Sequence, residues 1–147
     1  MTQEQKELLL KDLCARLYTC NCINGTALIV ALADEQPLES NQWLISNYDC
    51  YKDKFIVSNI VYASDVERLV DIDNIRPYLF PLSSMTAEQK TEFNTRSLEL
   101  QLKVIDDEIM YEKATEFEVD FYNKHHLDWR GLIPMGLALD ATGKNIY

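Results

Sequence analysis

Three segments of the form Thr-x-x-Gln or Thr-x-x-Glu punctuate this chain: Thr2-Gln3-Glu4-Gln5, Thr86-Ala87-Glu88-Gln89 and Thr115-Glu116-Phe117-Glu118. In such a capping box the threonine hydroxyl accepts a backbone N–H of the first helical turn. The side chain three residues on reaches back to the threonine N–H. One helix start therefore stands at the beginning of the chain and two stand in its second half. Short apolar, β-branched runs fill the interval. Three helix starts set among short antiparallel-type strands read as an α+β domain.

After Thr2, Leu9, Leu10, Leu13 and Leu17 recur at helical spacing, with Lys6, Glu7, Lys11 and Asp12 on the other face. Residues 3–17 are thus predicted to form an amphipathic helix. Asn24-Gly25 signals a turn. Residues 26–32 form a continuous apolar run and read as a buried strand, Trp43-Leu44-Ile45 as a further short one, and residues 55–62 as a β-branched and aromatic strand. Val70, Ile72 and Ile75 suggest a third strand within 66–75. Pro77 and Pro81 lack the N–H donors of a ladder, so residues 76–85 read as an extended connector and not a central strand. Thr86 opens a short helix through about Asn94. From Leu98 to Val104 apolar and polar residues alternate strictly, which predicts a half-buried strand although Leu, Glu and Lys favour helix. Asp106-Asp107 is a turn, and Thr115 starts a helix over 116–126 that Gly131 and Pro134 keep from continuing. The expectation is one α+β domain over residues 1–147, with a small, mostly antiparallel sheet and about three helices.

The 147 residues suffice for one domain with a real core. Lys and Arg total 14 against 24 Asp and Glu, a formal charge of -10. That field repels phosphate backbones and anionic membrane surfaces, so neither nucleic acid nor membrane is expected as a partner. It suits a basic protein partner or a cation. The first residues lack the basic and apolar regions of a secretory leader, and no apolar run reaches spanning length, so the chain reads as cytoplasmic. Cys14, Cys20, Cys22 and Cys50 are then expected as reduced thiols, because their spacing fits neither common zinc pattern.

The densest chemistry lies in Asn123-Lys124-His125-His126-Leu127-Asp128-Trp129-Arg130-Gly131-Leu132-Ile133. His125, His126 and Asp128 are sound ligands for a divalent ion, and they define a metal-site alternative. Adjacent helical residues, however, lie about 100° apart around the axis, so two neighbouring imidazoles do not readily face one ion. The more economical reading has both histidines ending a helix against its dipole, Asp128 capping the next turn and Trp129 and Leu132 packed on the core. The acids from Asp106 to Asp120 lack the rhythm of a calcium loop and read as a solvated face. Trp43, Tyr78 and Phe80, the last two beside Pro77 and Pro81, with Trp129 and Arg130, are nominated as partner-binding residues, although aromatics at strand and connector positions are more often core. Ser83-Ser84 sits where a helix cap belongs, with no nucleophile elbow around it. There is no P-loop and no GxGxxG. No catalytic residue and no cofactor are assigned.

Ile75-Arg76-Pro77-Tyr78-Leu79-Phe80-Pro81-Leu82-Ser83-Ser84-Met85-Thr86 and His125-His126-Leu127-Asp128-Trp129-Arg130-Gly131-Leu132-Ile133, with Gly136-Leu137-Ala138-Leu139 and the opening Leu9–Leu17, resemble a group of small uncharacterised proteins. These occur in gut-bacterial genomes, often within prophage-like or other mobile regions. The matches cover about a third of the chain. Phe80 departs from the pattern, which carries a basic residue there. The resemblance implies an element-borne accessory protein with no assigned activity. The functional expectation is a small cytosolic interaction module that binds another protein. The alternatives are a metal-binding protein or metal-dependent hydrolase built on His125, His126 and Asp128, and an acidic nucleic-acid mimic.

Overall fold

The computed structural model describes residues 1–19, 27–35, 41–59, 67–104 and 108–147, of which 100–104 and 108–115 are described as backbone. Helix α1 (Gln3–Tyr18) opens as its capping box requires: the Thr2 hydroxyl accepts the Gln5 N–H at 3.2 Å, and the Thr2 N–H donates to Gln5 Oε1 at 2.9 Å. Six strands follow: β1 (Leu28–Leu32), β2 (Trp43–Asp49), β3 (Lys54–Asn59), β4 (Glu67–Val70), β5 (Ile75–Leu79) and β6 (Leu139–Asp140). They form one sheet in the order β4-β3-β2-β1-β5-β6. Every neighbouring pair is antiparallel except β5 and β6, which are parallel. Helices α2 (Ala87–Val104) and α3 (Glu108–Lys124) pack on one another, with Phe93 against Phe117, Phe121 and Tyr122. The fold is α+β, as expected from the mix of helices and short strands.

Strand β1 is buried at all five positions because both faces of the sheet are covered there. On one face Leu28, Val30 and Leu32 join Leu9, Leu13 and Leu17 of α1 with Trp43, Ile45, Phe55, Val57 and Leu79. On the other face Ile29 and Ala31 pack with Tyr78 and Ala141. A strand covered on both sides needs a continuous apolar run, and residues 28–32 supply one.

Three expectations are corrected. Residues 75–79 form a ladder strand between β1 and β6, although Pro77 lies in the middle of it and pairs with Val30. Backbone groups alternate between the two edges of a strand. The Leu79 carbonyl accepts Ala141 N–H at 2.9 Å on the β6 side, so Pro77, two residues earlier, turns its nitrogen to that same side. Strand β6 reaches only Tyr78 and Leu79, so the proline costs no ladder bond. Residues 98–104 are the second half of α2 and not a strand. A nucleated helix gains a hydrogen bond with each added residue, whereas an alternating segment gains nothing without a strand edge to pair with. Thr115 lies inside α3, which begins at Glu108. The smaller deviations are of extent: β2 continues to Asp49, and the 66–75 segment divides into β4, a short 3-10 turn at Ile72–Asn74 and the start of β5. The Asn24-Gly25 and Asp106-Asp107 turns, and the end of the 55–62 strand, lie outside the described residues. Among those residues Cys14 and Cys50 are free thiols, while Cys20 and Cys22 lie outside them. No helix among the described residues is long and apolar enough to cross a membrane.

Two charged residues on the inner face of α1 tie the C-terminal segment to the body. Asp12 and Arg16 are both fully buried. Arg16 Nε donates to Asp12 Oδ2 at 2.6 Å, and its Nη2 donates to Asp12 Oδ1 at 3.2 Å and to the Leu127 carbonyl at 2.8 Å. Arg130 Nε donates to the same Asp12 Oδ1 at 3.1 Å. Removing the carboxylate leaves two guanidiniums uncompensated, one of them out of water. Asp12→Ala is expected to cost about 3–5 kcal/mol. Urea denaturation should show this as a lower midpoint at unchanged slope; a loss under about 1 kcal/mol would contradict the role given to this carboxylate.

Candidate functional site

The end of α3 builds the site. His126 N–H donates to the Asn123 carbonyl at 3.1 Å and Leu127 N–H to the Tyr122 carbonyl at 2.8 Å. These two bonds are those of a Schellman motif, in which the residue after the cap takes the left-handed conformation. That residue is His126, with φ 52°. Glycine usually fills this position, and histidine is among the few other residues that adopt it readily. The reversal feeds the chain to Phe80. Phe80 N–H donates to the His126 carbonyl at 2.9 Å, and Asp128 N–H donates to the Phe80 carbonyl at 2.8 Å. The Asp128 carboxylate then accepts Leu132 N–H at 2.7 Å and Ile133 N–H at 2.8 Å, closing the following turn.

The two imidazoles therefore diverge. His125 lines a cavity of about 210 Å³ with Phe80, Ser84, Thr86, Gln89, Leu127, Thr142 and Gly143. The capping box of α2 fixes its protonation. Gln89 Oε1 accepts Thr86 N–H at 2.9 Å, so the other end of that amide, Nε2, faces His125 Nδ1 at 3.1 Å. An amide nitrogen only donates, so Nδ1 accepts and the proton of the neutral ring sits on Nε2. Nε2 is buried with no hydrogen-bond partner, and its nearest carboxylate oxygen, Glu92 Oε2, is 3.9 Å away. Burial pushes the His125 pKa down, Lys124 adds to this, and Glu92 opposes it.

His126 is 3% exposed, and neither ring nitrogen has a hydrogen-bond partner. Its ring lies flat against Tyr147, with centroids 3.9 Å apart and planes at 8°. Burial first, then the Arg16 guanidinium and His125, lowers its pKa to about 3. Both rings are neutral at neutral pH.

A second concavity, of about 260 Å³, lies between the start of α1, the β2–β3 turn and the 3-10 turn before β5. Glu7, Asp53, Asp71 and Asp73 line it with a single base, Lys6. Lys6 pairs with Asp73, Lys54 reaches Asp71 from outside the concavity at 3.4 Å, and the Tyr48 hydroxyl donates to Asp53. That bond pushes the Tyr48 pKa up to about 12.

Of the residues nominated for a metal, His125 faces the cavity, His126 faces Tyr147, and both Asp128 oxygens serve backbone N–H groups. Among the described residues no three His, Cys, Asp or Glu side chains converge as an ion site. Of the residues nominated for a partner, Trp43 and Tyr78 are core residues, so neither offers its ring to another molecule. Each is buried on a covered face of the sheet, Trp43 on the α1 side and Tyr78 on the side of Ile29 and Ala31. Phe80, the position that departs from the resemblance, is half-buried on the cavity wall. Trp129 and Arg130 are half-buried and engaged at home. Trp129 Nε1 donates to Asn123 Oδ1 at 3.2 Å, and the Arg130 guanidinium lies 3.9 Å over the Trp129 ring. In the acidic stretch, Asp120 accepts the Thr19 hydroxyl at 3.2 Å. The reading of the residues missed Gln89 and Tyr147. The first was detectable, since its capping box was recognised. The second had no local signal.

The unfolded chain protonates His126 near 6.5, and the folded chain only near 3. Its contribution to stability is complete above pH 6.5 and is lost as pH falls from 6.5 toward 3, by at most about 1.4 kcal/mol per pH unit. His126→Asn tolerates the left-handed backbone and does not titrate. Unfolding free energies of this variant from urea denaturation at acidic and neutral pH should differ by about 2–3 kcal/mol less than those of the parent chain; an equal difference would refute the assignment. For His125, Gln89→Glu puts an acceptor against Nδ1. Nitrogen-15 NMR should show the proton moving from Nε2 to Nδ1 and the pKa rising. If Nδ1 already carries the proton in the parent chain, the capping-box argument fails.

No protein-family model, no curated protein and no solved structure matches this chain.

Proposed function

We propose that this protein is a small cytosolic interaction module of mobile-element origin that receives a basic segment of a protein partner. The observation that carries this reading is the acidic concavity of Glu7, Asp53, Asp71 and Asp73, where four carboxylates meet two lysines, Lys6 on Asp73 and Lys54 on Asp71. Its volume of about 260 Å³ suits one or two inserted side chains and falls just under the lower end of small-molecule sites. An incoming lysine or arginine adds positive charge to a wall where acids outnumber bases. The formal charge of -10 extends the same sign over the whole molecule and favours encounter with a basic partner. The resemblance to element-borne accessory proteins agrees with a binding role.

Calorimetric titration with a short lysine- and arginine-rich peptide, and with its glutamate-substituted counterpart, tests the proposal at about 0.02 M and 0.15 M salt. The basic peptide should bind, more weakly at the higher salt, and the acidic one should not. Glu7→Gln combined with Asp53→Asn should weaken binding by about fivefold or more. Indistinguishable titrations for the two peptides would defeat the reading.

A further inference from the structure

We propose that Phe80, His126 and a gap between β1 and β5 form a phenol-binding slot, and that the Tyr147 side chain is its tethered, displaceable occupant. The paired register of β1 and β5 covers Val30↔Pro77, Ala31↔Arg76 and Leu32↔Ile75. The next rung would join Ile29 to Tyr78. A tyrosine hydroxyl makes that rung instead: Ile29 N–H donates to Tyr147 Oη at 3.3 Å, and Tyr147 Oη donates to the Tyr78 carbonyl at 2.8 Å. One hydroxyl, acting as donor and acceptor, satisfies a backbone group on each strand.

The ring is held as specifically as the hydroxyl. One face lies on the His126 imidazole at 3.9 Å, and Phe80 packs at a tilt with centroids 5.8 Å apart. His126 is buried beneath this ring with both nitrogens unpartnered. The hydroxyl at the far end of the slot is the polar group these two bonds recognise. The chemistry recognised is therefore that of a para-substituted phenol, the side chain of a tyrosine.

The occupant is less firmly held than the slot. Ala141 is buried with its N–H bound to the Leu79 carbonyl, and Ile146 is half-buried against Ile29 and Ala31, but Thr142, Gly143, Lys144 and Asn145 between them are exposed, and Tyr147 itself is 40% exposed. Gly143, at φ 74°, lies in a turn closed by the Lys144 N–H on the Ala141 carbonyl at 3.1 Å. Thr142 and Gly143 also wall the His125 cavity. A tyrosine side chain arriving from another molecule thus competes with Tyr147, and its entry withdraws one wall of that cavity. The slot shares no residue with the acidic concavity, so either proposal can fail alone.

Chemical complementation tests it. Tyr147→Ala should melt several degrees below the parent chain. Millimolar p-cresol should raise its melting temperature with concentration, toluene should do so far less, and the parent chain, with its tether in place, should respond least. If Tyr147→Ala does not fold, p-cresol should restore its circular dichroism spectrum. In Tyr147→Phe, which keeps the ring, amide exchange at Ile29 should accelerate about tenfold or more while that at Leu32 stays unchanged. Equal responses to p-cresol and toluene, no response of Tyr147→Ala to p-cresol, or unchanged exchange at Ile29 would each overturn the proposal.

Discussion

The Asp12 carboxylate is shared by two guanidiniums, from Arg16 one helical turn away and from Arg130 at the far end of the sequence. Taking such charges out of water is costly, and the net stabilisation of the cluster is small compared with an apolar equivalent. Its value is positional. Leucines on α1 could slide along an apolar sheet with little penalty, but Arg16 has one direction in which its second amino group finds an acceptor, the Leu127 carbonyl. That contact joins residues 111 apart in the chain. It sets where the segment after α3 crosses α1, and with it the placement of the histidines on either side of the reversal.

From that anchor the site grows through backbone bonds. Phe80 spends both its N–H and its carbonyl on residues 126 and 128, so the end of β5 and the end of α3 cannot move independently. The opposite wall of the cavity comes from the first turn of α2, where Thr86 and Gln89 belong to a complete capping box. This matters because α2 packs mainly on α3, and its exposed residues outnumber its half-buried ones among those described. The turn that touches His125 is the one whose orphan N–H groups are satisfied from within.

The sequence was legible wherever a local rule governed. Thr2-x-x-Gln5 and Thr86-x-x-Gln89 cap helices because their partners lie three residues away, and the unbroken apolar run at 28–32 requires a strand with two covered faces. It was misread where two local rules competed. Leu98–Val104 alternates like a strand but is composed like a helix, and the helix already nucleated at Thr86 decided the matter. Thr115-x-x-Glu118 has the letters of a cap without the interruption a cap requires, since α3 is already under way. Pro77 was excluded from a ladder strand by a rule that assumes both edges are paired, and at that residue only one is. Of the candidate site, the His125–Asp128 segment was legible as a helix end, and Asp128 as the cap of the next turn. The bonds that give each imidazole its surroundings were not legible. Gln89 is 36 residues from His125, and the contacts of Tyr147 with Ile29 and Tyr78 span 118 and 69 residues. No periodicity encodes such separations.

A single left-handed residue separates the fates of two identical side chains. Had His126 continued the helix, its ring would stand about 100° from that of His125 on the same cylinder. The reversal turns it instead under the sheet edge, where it is covered by Tyr147. Glycine at this position would relieve the backbone at φ 52°, an advantage of about 1 kcal/mol. It would also leave the face of the Tyr147 ring without the imidazole on which it lies. A residue that costs backbone strain and buries two unpartnered nitrogens breaks two local rules at once. Such violations persist where something else is gained. Here the gain available to the molecule is a flat surface against an aromatic ring whose hydroxyl completes the sheet. The strain at His126 and the bridge at Ile29 and Tyr78 are two ends of one arrangement, with the Tyr147 side chain between them.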